Sequence, residues 1–370
     1  MSEVAIDKTL GEVGERFIKN RILARISEDT IATSLLDGGI GHDSGVLLNP
    51  LKSTDRLLVN TDRSGVSKAF KLGLSGGECI GDFAVSHAVS DILATGGTPF
   101  AISVAMLLPE ETSVKTVDEI IEGVLGACNF CNVSLAGGDT KKAEKLSLVV
   151  TALGKAAVDE VLFRDTPEVG DQLVVTGELG RMLLGSAVYK QGIEVSNIEK
   201  NVLDDALVFQ RPPYRLALEI NQSKLANACT DISDGLQAAC RNIVSSSGLG
   251  VKIEEDKIPV NPILLGLSKR LGLSAVQLSL AGGDWRFLYA VPKNSATALS
   301  KIAKAIGERI YIIGSVTATP GVWVASSDGI VYELNEVEHD SFIDRFDGKS
   351  YFDMLSRPIN LYKKKDVRPL

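Results

Sequence analysis

The chain has 370 residues, 45% of them hydrophobic, enough for two α/β domains and too apolar for a disordered chain. A formal net charge of −8 and only 5% aromatic residues argue against nucleic acid or an anionic membrane as the main partner. No apolar run is long enough to cross a bilayer, and the five cysteines (Cys79, Cys128, Cys131, Cys229, Cys240), with no signal peptide, read as reduced core thiols of a cytoplasmic protein.

From Gly11 to Ile26 the residues Phe17, Ile18, Ile22, Leu23 and Ile26 form one helical stripe. The loop Asp37-Gly-Gly-Ile-Gly-His-Asp-Ser-Gly45 follows. Its glycines permit close approach of backbone to a ligand, or simply a flexible turn, and Asp43 lies inside it beside a hydroxyl. Val46 to Leu48 reads as a strand. Leu57-Leu-Val-Asn-Thr-Asp62 is a short strand ending in oxygen ligands, and strand ends are where α/β folds place chemistry. Gly76 to Asp82 opens a long helix through Ala94, with Asp91 near its C-terminal end. A carboxylate there opposes the helix dipole, which a nearby metal would resolve. His87, on the same helix, reads as a hydrogen-bonded, partly buried imidazole. A strand from Phe100 to Leu108 and a helix from Val114 to Val133 lead to Leu135-Ala-Gly-Gly-Asp-Thr140, a strand with a Gly-Gly-Asp corner. The lone Cys128-Asn-Phe-Cys131 reads as two core thiols on a helix turn rather than a zinc or redox site.

A composition shift over Asp159 to Gly170, containing Arg164, marks a boundary between domains spanning 1–158 and 159–370. Gln172 to Gly180 is a strand running into a glycine turn, without the spacing of a dinucleotide loop. Arg211-Pro-Pro-Tyr-Arg215 is a rigid basic corner. Next comes Ala228-Cys-Thr-Asp-Ile-Ser-Asp-Gly-Leu236, the densest chemistry in the chain, with Asp231, Ser233 and Asp234 directly before Gly235 and a helix from Leu236 to Val244. Two readings fit it: a double N-cap, or a hard-cation and phosphate site at a helix start. Strands over 251–254 and 310–316, helices over 264–271 and 296–305, and a second corner at Leu280-Ala-Gly-Gly-Asp284 complete the α/β pattern. Trp285 to Val291 reads as a strand, with Asp284 and Arg286 on one face and Trp285 on the other. Val322 to Leu334 reads as a hairpin about Asp328-Gly329, and Lys363-Lys-Lys365 as a solvated tail.

Six stretches stand in a familiar order: Gly39 to Leu47, Asn60-Thr-Asp62, Val89-Ser-Asp91 with Gly97-Thr-Pro99, Gly137-Gly-Asp-Thr140, Asp231 to Leu236, and Gly282-Gly-Asp284. Over roughly residues 11 to 320 they resemble thiamine-monophosphate kinase, of the aminoimidazole-ribonucleotide (AIR) synthetase superfamily. The resemblance implies an ATP-using enzyme of two α/β domains, the first a mixed-sheet domain forming the interface of a homodimer. It implies Mg²⁺ ligands at Asp43, Thr61, Asp62, Asp91, Asp139 and Asp231, a further metal position at Asp234, and ATP contacts at Gly138, Arg164 and Ser233. Asp284 stands where the kinase has a substrate-binding Glu. Among these, Asp139, Asp231 and Asp234 are the residues expected closest to the chemistry. Phosphoryl transfer asks for positioning and charge stabilisation by metals, which single aspartates on rigid corners suit.

The departures fall on the acceptor side. Gly41-His42-Asp43 replaces Gly-Asp-Asp, Lys68 to Phe70 stands where the kinase has a substrate-contacting histidine, and Trp285-Arg286-Phe287 replaces an acidic run. With Asp284 at the substrate corner, the gained Lys68 and Arg286 are therefore expected to favour a small-molecule substrate more anionic than a thiazolium. An amide-activating or ring-closing ligase of the AIR synthetase type and a non-catalytic nucleotide-binding regulator are the alternatives.

Overall fold

A computed structural model describes residues 7–36, 47–244, 247–335, 337 and 351–363. The glycine loop with Asp43, and Lys364 and Lys365 of the basic tail, lie outside the described residues. The chain forms two compact units, one of residues 1–93, 97–159 and 208–211, the other of 94–96, 160–207 and 212–370.

The first unit runs α1 (Leu10–Ser27), β1 (Asp55–Gly65), α2 (Lys68–Lys71), α3 (Glu78–Ala94), β2 (Thr98–Leu108), α4 (Val114–Cys131), β3 (Ser134–Lys142) and β4 (Ser147–Ala157). Its sheet has the order β1-β4-β2-β3 and is mixed, since only β2 and β3 run parallel. The expected stripe on α1 is buried at Ile18, Ile22 and Ile26, although Gly14 interrupts the helix with φ 78°. The Ser113 hydroxyl caps α4 by accepting from Thr116 N, and Asn132 ends that helix in the left-handed region. α3 and α4 meet backbone to backbone. A Cβ on Gly81 would lie 2.1 Å from Ile120 O, and one on Gly123 would lie 1.9 Å from Glu78 O. Cys128 and Cys131 are core thiols on α4, and burial holds the Cys131 thiol up at about 12.

On β1 the side chains alternate. Leu58, Asn60, Asp62 and Ser64 are half-buried or buried, whereas Leu57, Val59, Thr61 and Arg63 are exposed. The inner row meets α3, for Asn60 Nδ2 donates to Ala88 O and Ser64 Oγ bonds His87 Nδ1. Two expectations change here. Of the strand read at Val46 to Leu48, only Leu47 pairs among the described residues, in an isolated bridge with Leu36. Gly137-Gly-Asp139 is no corner: β3 continues through it to Lys142, with a register shift against Ile102 and Ser103. Gly138 must be glycine, because a Cβ would stand 2.1 Å from Val104 O on the neighbouring strand.

The second unit runs β5 (Gln172–Val175), α5 (Arg181–Gln191), α6 (Asn197–Val208), α7 (Tyr214–Ser223), β6 (Ala228–Asp231), α8 (Leu236–Val244), β7 (Gly250–Glu254), α9 (Leu265–Arg270), α10 (Ala275–Ser279), β8 (Phe287–Val291), α11 (Ala296–Ala305), β9 (Tyr311–Thr317), β10 (Gly321–Ala325), β11 (Val331–Glu333) and α12 (Tyr351–Leu355). The seven strands lie in the order β11-β10-β7-β9-β5-β8-β6, and β10 and β11 form the hairpin expected about Asp328-Gly329. A core of aliphatic side chains from β5, β7 and β8 against α5 and α8 fixes the sheet edge, so that β6 ends at Asp231. The α/β reading with two domains holds.

Candidate active site

In the first unit, Asp62 sits on the inner face of β1, 3.6 Å from His87 Nε2 and 3.4 Å from Asn60 Nδ2. His87 stacks on Phe83 with ring centroids 5.7 Å apart and bonds Ser64 at 3.2 Å through Nδ1. It is the partly buried, hydrogen-bonded imidazole expected, and it also braces Asp62. Asp91, one helical turn after His87 on α3, is half-buried. Asp139 is exposed on β3 and accepts from Thr140 N at 2.8 Å. Thr61 points away from Asp62 on the other face of β1, where its hydroxyl pairs with Thr151 at 2.9 Å. Lys68 opens the short α2 behind the cap residue Ser67 and is half-buried.

In the second unit, two glycine loops interlock. Gly235 has φ 91°, and a Cβ there would lie 1.9 Å from Leu280 O; a Cβ on Gly282 would lie 1.8 Å from Ser233 O. Gly283 N donates to Ser233 O, and Ile232 N donates to Arg286 O. Asp231 is buried with Arg164 Nη2 at 4.0 Å, at the outer limit of an ion pair, and that arginine is half exposed. The double N-cap reading fails: neither the Ser233 hydroxyl nor the exposed Asp234 carboxylate makes a hydrogen bond among the described residues. The left-handed Gly235 opens α8 instead. This leaves both side chains, and the N–H groups of the first turn, for a ligand.

The Gly-Gly-Asp284 corner departs furthest from expectation. Trp285 adopts φ 45°, so residues 284–286 lie outside any strand and β8 begins only at Phe287; the strand alternation drawn for Asp284, Trp285 and Arg286 does not exist. Asp284 is buried and turned inward. Its oxygens accept from Gly180 N at 2.5 Å and Met182 N at 3.1 Å, capping α5. Burial foremost pushes its carboxyl up, against Arg181, these two N–H groups and Arg286. Burial, with the like charge of Arg181, brings Arg286 down to about 10.

Residues 41–156 match the model of the AIR synthase related protein N-terminal domain, and residues 168–325 that of the C-terminal domain. A thiamine-monophosphate kinase of Aquifex aeolicus (strain VF5) is 30% identical over 254 residues, 66% of this chain and 80% of that protein. The chain belongs to the AIR synthase related family. Within it, the chain is similar to thiamine-monophosphate kinases. The solved structure of AaThiL complexed with AMPPCP and TMP superposes with a TM-score of 0.66 at 26% identity, covering 90% of this chain and 99% of that one. A putative hydrogenase expression/formation protein of Methanocaldococcus jannaschii is 27% identical over 314 residues, 83% of this chain and 88% of its own length.

As an AIR synthase related protein, the chain carries its acids dispersed. Among the described residues no three His, Cys, Asp or Glu side chains converge on one point. Asp62, Asp91 and Asp139 belong to the first unit, and Asp231 and Asp234 to the second. Sequence reasoning missed Asn60 and the link from His87 to Asp62. The alternation of polar residues along β1, with Asn60, Asp62 and Ser64 two apart, was the signal available. It also missed that Asp284 caps α5, because that contact spans more than 100 residues of chain.

Proposed function

We propose that this protein is an ATP- and Mg²⁺-dependent enzyme that phosphorylates, or activates by phosphorylation, a small molecule other than thiamine monophosphate. The observation carrying this reading is that three of its acids are not consumed by the fold: Asp139 and Asp234 are exposed, and Asp62 meets only Asn60 and His87 among the described residues. Mg²⁺ fits such a donor set, being all oxygen, with the cysteines buried elsewhere. Asp62, Asp91 and Asp139 of the first unit, Asp231 and Asp234 of the second, and Asp43 are each candidates to supply it with a carboxylate oxygen. Thr61 would take part only through its carbonyl, since its hydroxyl faces away. A bound Mg²⁺ neutralises phosphate oxygens and so lowers the barrier to attack on phosphorus. His87 orients Asp62, while Ser233 and the N–H groups opening α8 receive phosphate oxygens. Arg164 adds positive charge near Asp231, and Gly138 keeps β3 close to β2 so that Asp139 is held on a rigid strand.

Acceptor choice rests on the replaced corner. Asp284, expected among the substrate residues, is instead taken up in capping α5; Arg286 and Lys68 remain the candidates for an anionic acceptor. An amide-activating or ring-closing ligase of the AIR synthetase type is the second reading, supported by the AIR synthase related domains. Products separate the two: ADP with a phosphorylated acceptor for the first, ADP with free phosphate and a new C–N bond for the second. We also propose a homodimer, supported by the outer row of the first sheet, where Leu57 and Val59 are 52% and 60% exposed.

Asp62→Asn and Asp139→Asn should each abolish Mg²⁺-dependent turnover with the fold intact, because a lost charged ligand removes a large electrostatic contribution. Full turnover in both variants would refute the metal assignment. Purified protein should convert thiamine monophosphate poorly or not at all. Efficient conversion to the diphosphate would overturn the acceptor proposal while leaving phosphotransfer standing.

A further inference from the structure

The second unit contains a cavity of about 430 Å³, within the range of small-molecule sites, that shares no residue with the loops described above. One wall is the 3₁₀ turn at Glu255 and the β10–β11 hairpin with Ser326, Asp328 and Tyr332. The opposite wall is the C-terminal segment Pro358 to Tyr362, pinned by the bridge between Leu334 and Tyr362 and by Asn335 N donating to Leu361 O. Where the walls meet, the rings of Tyr332 and Tyr362 face each other, with centroids 4.7 Å apart and planes inclined at 33°.

The charge of this cavity is one-sided. Glu255 and Asp328 line it, and no Lys, Arg or His does among the described residues. Of the cations beside it, Lys257 pairs with Glu254 and Lys363 with Glu333. Asp328 accepts from Ser326 and Ile330 N in its own turn, while the Glu255 carboxylate has neither an ion pair nor a hydrogen bond among the described residues. Burial, then Asp256 and Asp328, raise the Glu255 carboxyl. The Tyr362 hydroxyl is likewise held up at about 12, by burial and then by Glu255.

We propose that this cavity binds a small organic cation, an alkylammonium or quaternary ammonium group, seated against the Tyr332 and Tyr362 rings and neutralised by Glu255 with Asp328. Aromatic faces attract a weakly hydrated cation through their quadrupole, and a nearby carboxylate without a partner supplies the charge. An inorganic divalent ion suits the cavity less well, since no three metal-ligating side chains converge here among the described residues.

Isothermal titration of the full chain with choline, and with its neutral isostere 3,3-dimethylbutan-1-ol at equal ionic strength, tests the proposal. Choline should bind, and the alcohol should bind about tenfold more weakly or worse. Glu255→Gln should weaken choline about tenfold, Tyr362→Leu should do the same, and Tyr362→Phe should retain binding because the ring is kept. Should Tyr362→Leu perturb the C-terminal wall, Glu255→Gln decides alone, since it keeps the shape of the side chain. Absence of choline binding, equal binding of the two probes, or undiminished binding in Glu255→Gln would overturn the site. None of these readouts depends on ATP or on turnover.

Discussion

Asp284 illustrates how a single side chain can match a motif and perform another task. A buried carboxylate holding two N–H groups at a helix start satisfies donors that α5 cannot satisfy itself. Asp284→Ala should therefore lower stability by about 1–3 kcal/mol, and Asp284→Asn by less, since an amide oxygen still accepts. Equilibrium unfolding in urea would measure both. The pH dependence has a definite sign. The folded carboxyl lies above its unfolded value, so the folded state binds the proton more tightly, and the Asp284 contribution falls as pH rises from about 4 through the raised carboxyl. Wild type should lose stability relative to Asp284→Asn over that range; a gain would mean that the two N–H groups outweigh burial. The spacing Gly-Gly-Asp was legible from the sequence. What the Asp faces was not, because it depends on Trp285 leaving the extended region and turning the carboxylate inward.

Among the elements, the α3–α4 contact sets the position of His87 and Asp91. Helices that touch through glycine approach more closely than side chains otherwise permit. Gly123→Ala places a methyl 1.9 Å from Glu78 O, and overpacking of this kind should cost about 1–3 kcal/mol. Gly126→Ala on the same helix meets nothing within 4 Å and should leave stability unchanged or slightly raised. Thermal unfolding of the two variants provides the comparison, and an equal loss in both would remove the special status of position 123. The helices and strands themselves were readable from apolar period, since α8 and α11 match the residues expected and β7 and β9 differ by a residue or so. Gly137-Gly138 misled because paired glycines usually signal a turn. Here they let β3 pass close to β2 without breaking the ladder.

For the whole molecule, the proposed homodimer rests on the outer face of the first sheet. Leu57 and Val59 are exposed on β1, with Leu153 of β4 paired across from Val59, and an apolar sheet face of this kind favours a self-complementary contact. If the proposed dimer forms through this face, Val59→Asp should be a monomer at micromolar concentration where the wild type is a dimer, with mass read by light scattering. A wild-type monomer that keeps full activity would remove the homodimer altogether.

The strap at Val208–Arg211 belongs to the first unit although it follows 48 residues of the second. Arg211 reaches back to the buried Asp82 through two nitrogens and lies over the ring of Phe130 at 4.6 Å. During synthesis, the first unit therefore leaves the ribosome incomplete. Until Arg211 emerges, Asp82 is a buried charge without its guanidinium, a deficit of about 3–5 kcal/mol by the usual measure of a broken buried pair. Ribosomal pausing before this codon would hold the nascent first unit in its weakest state. The latch that ends that state is encoded after most of α5 and α6 have already been made.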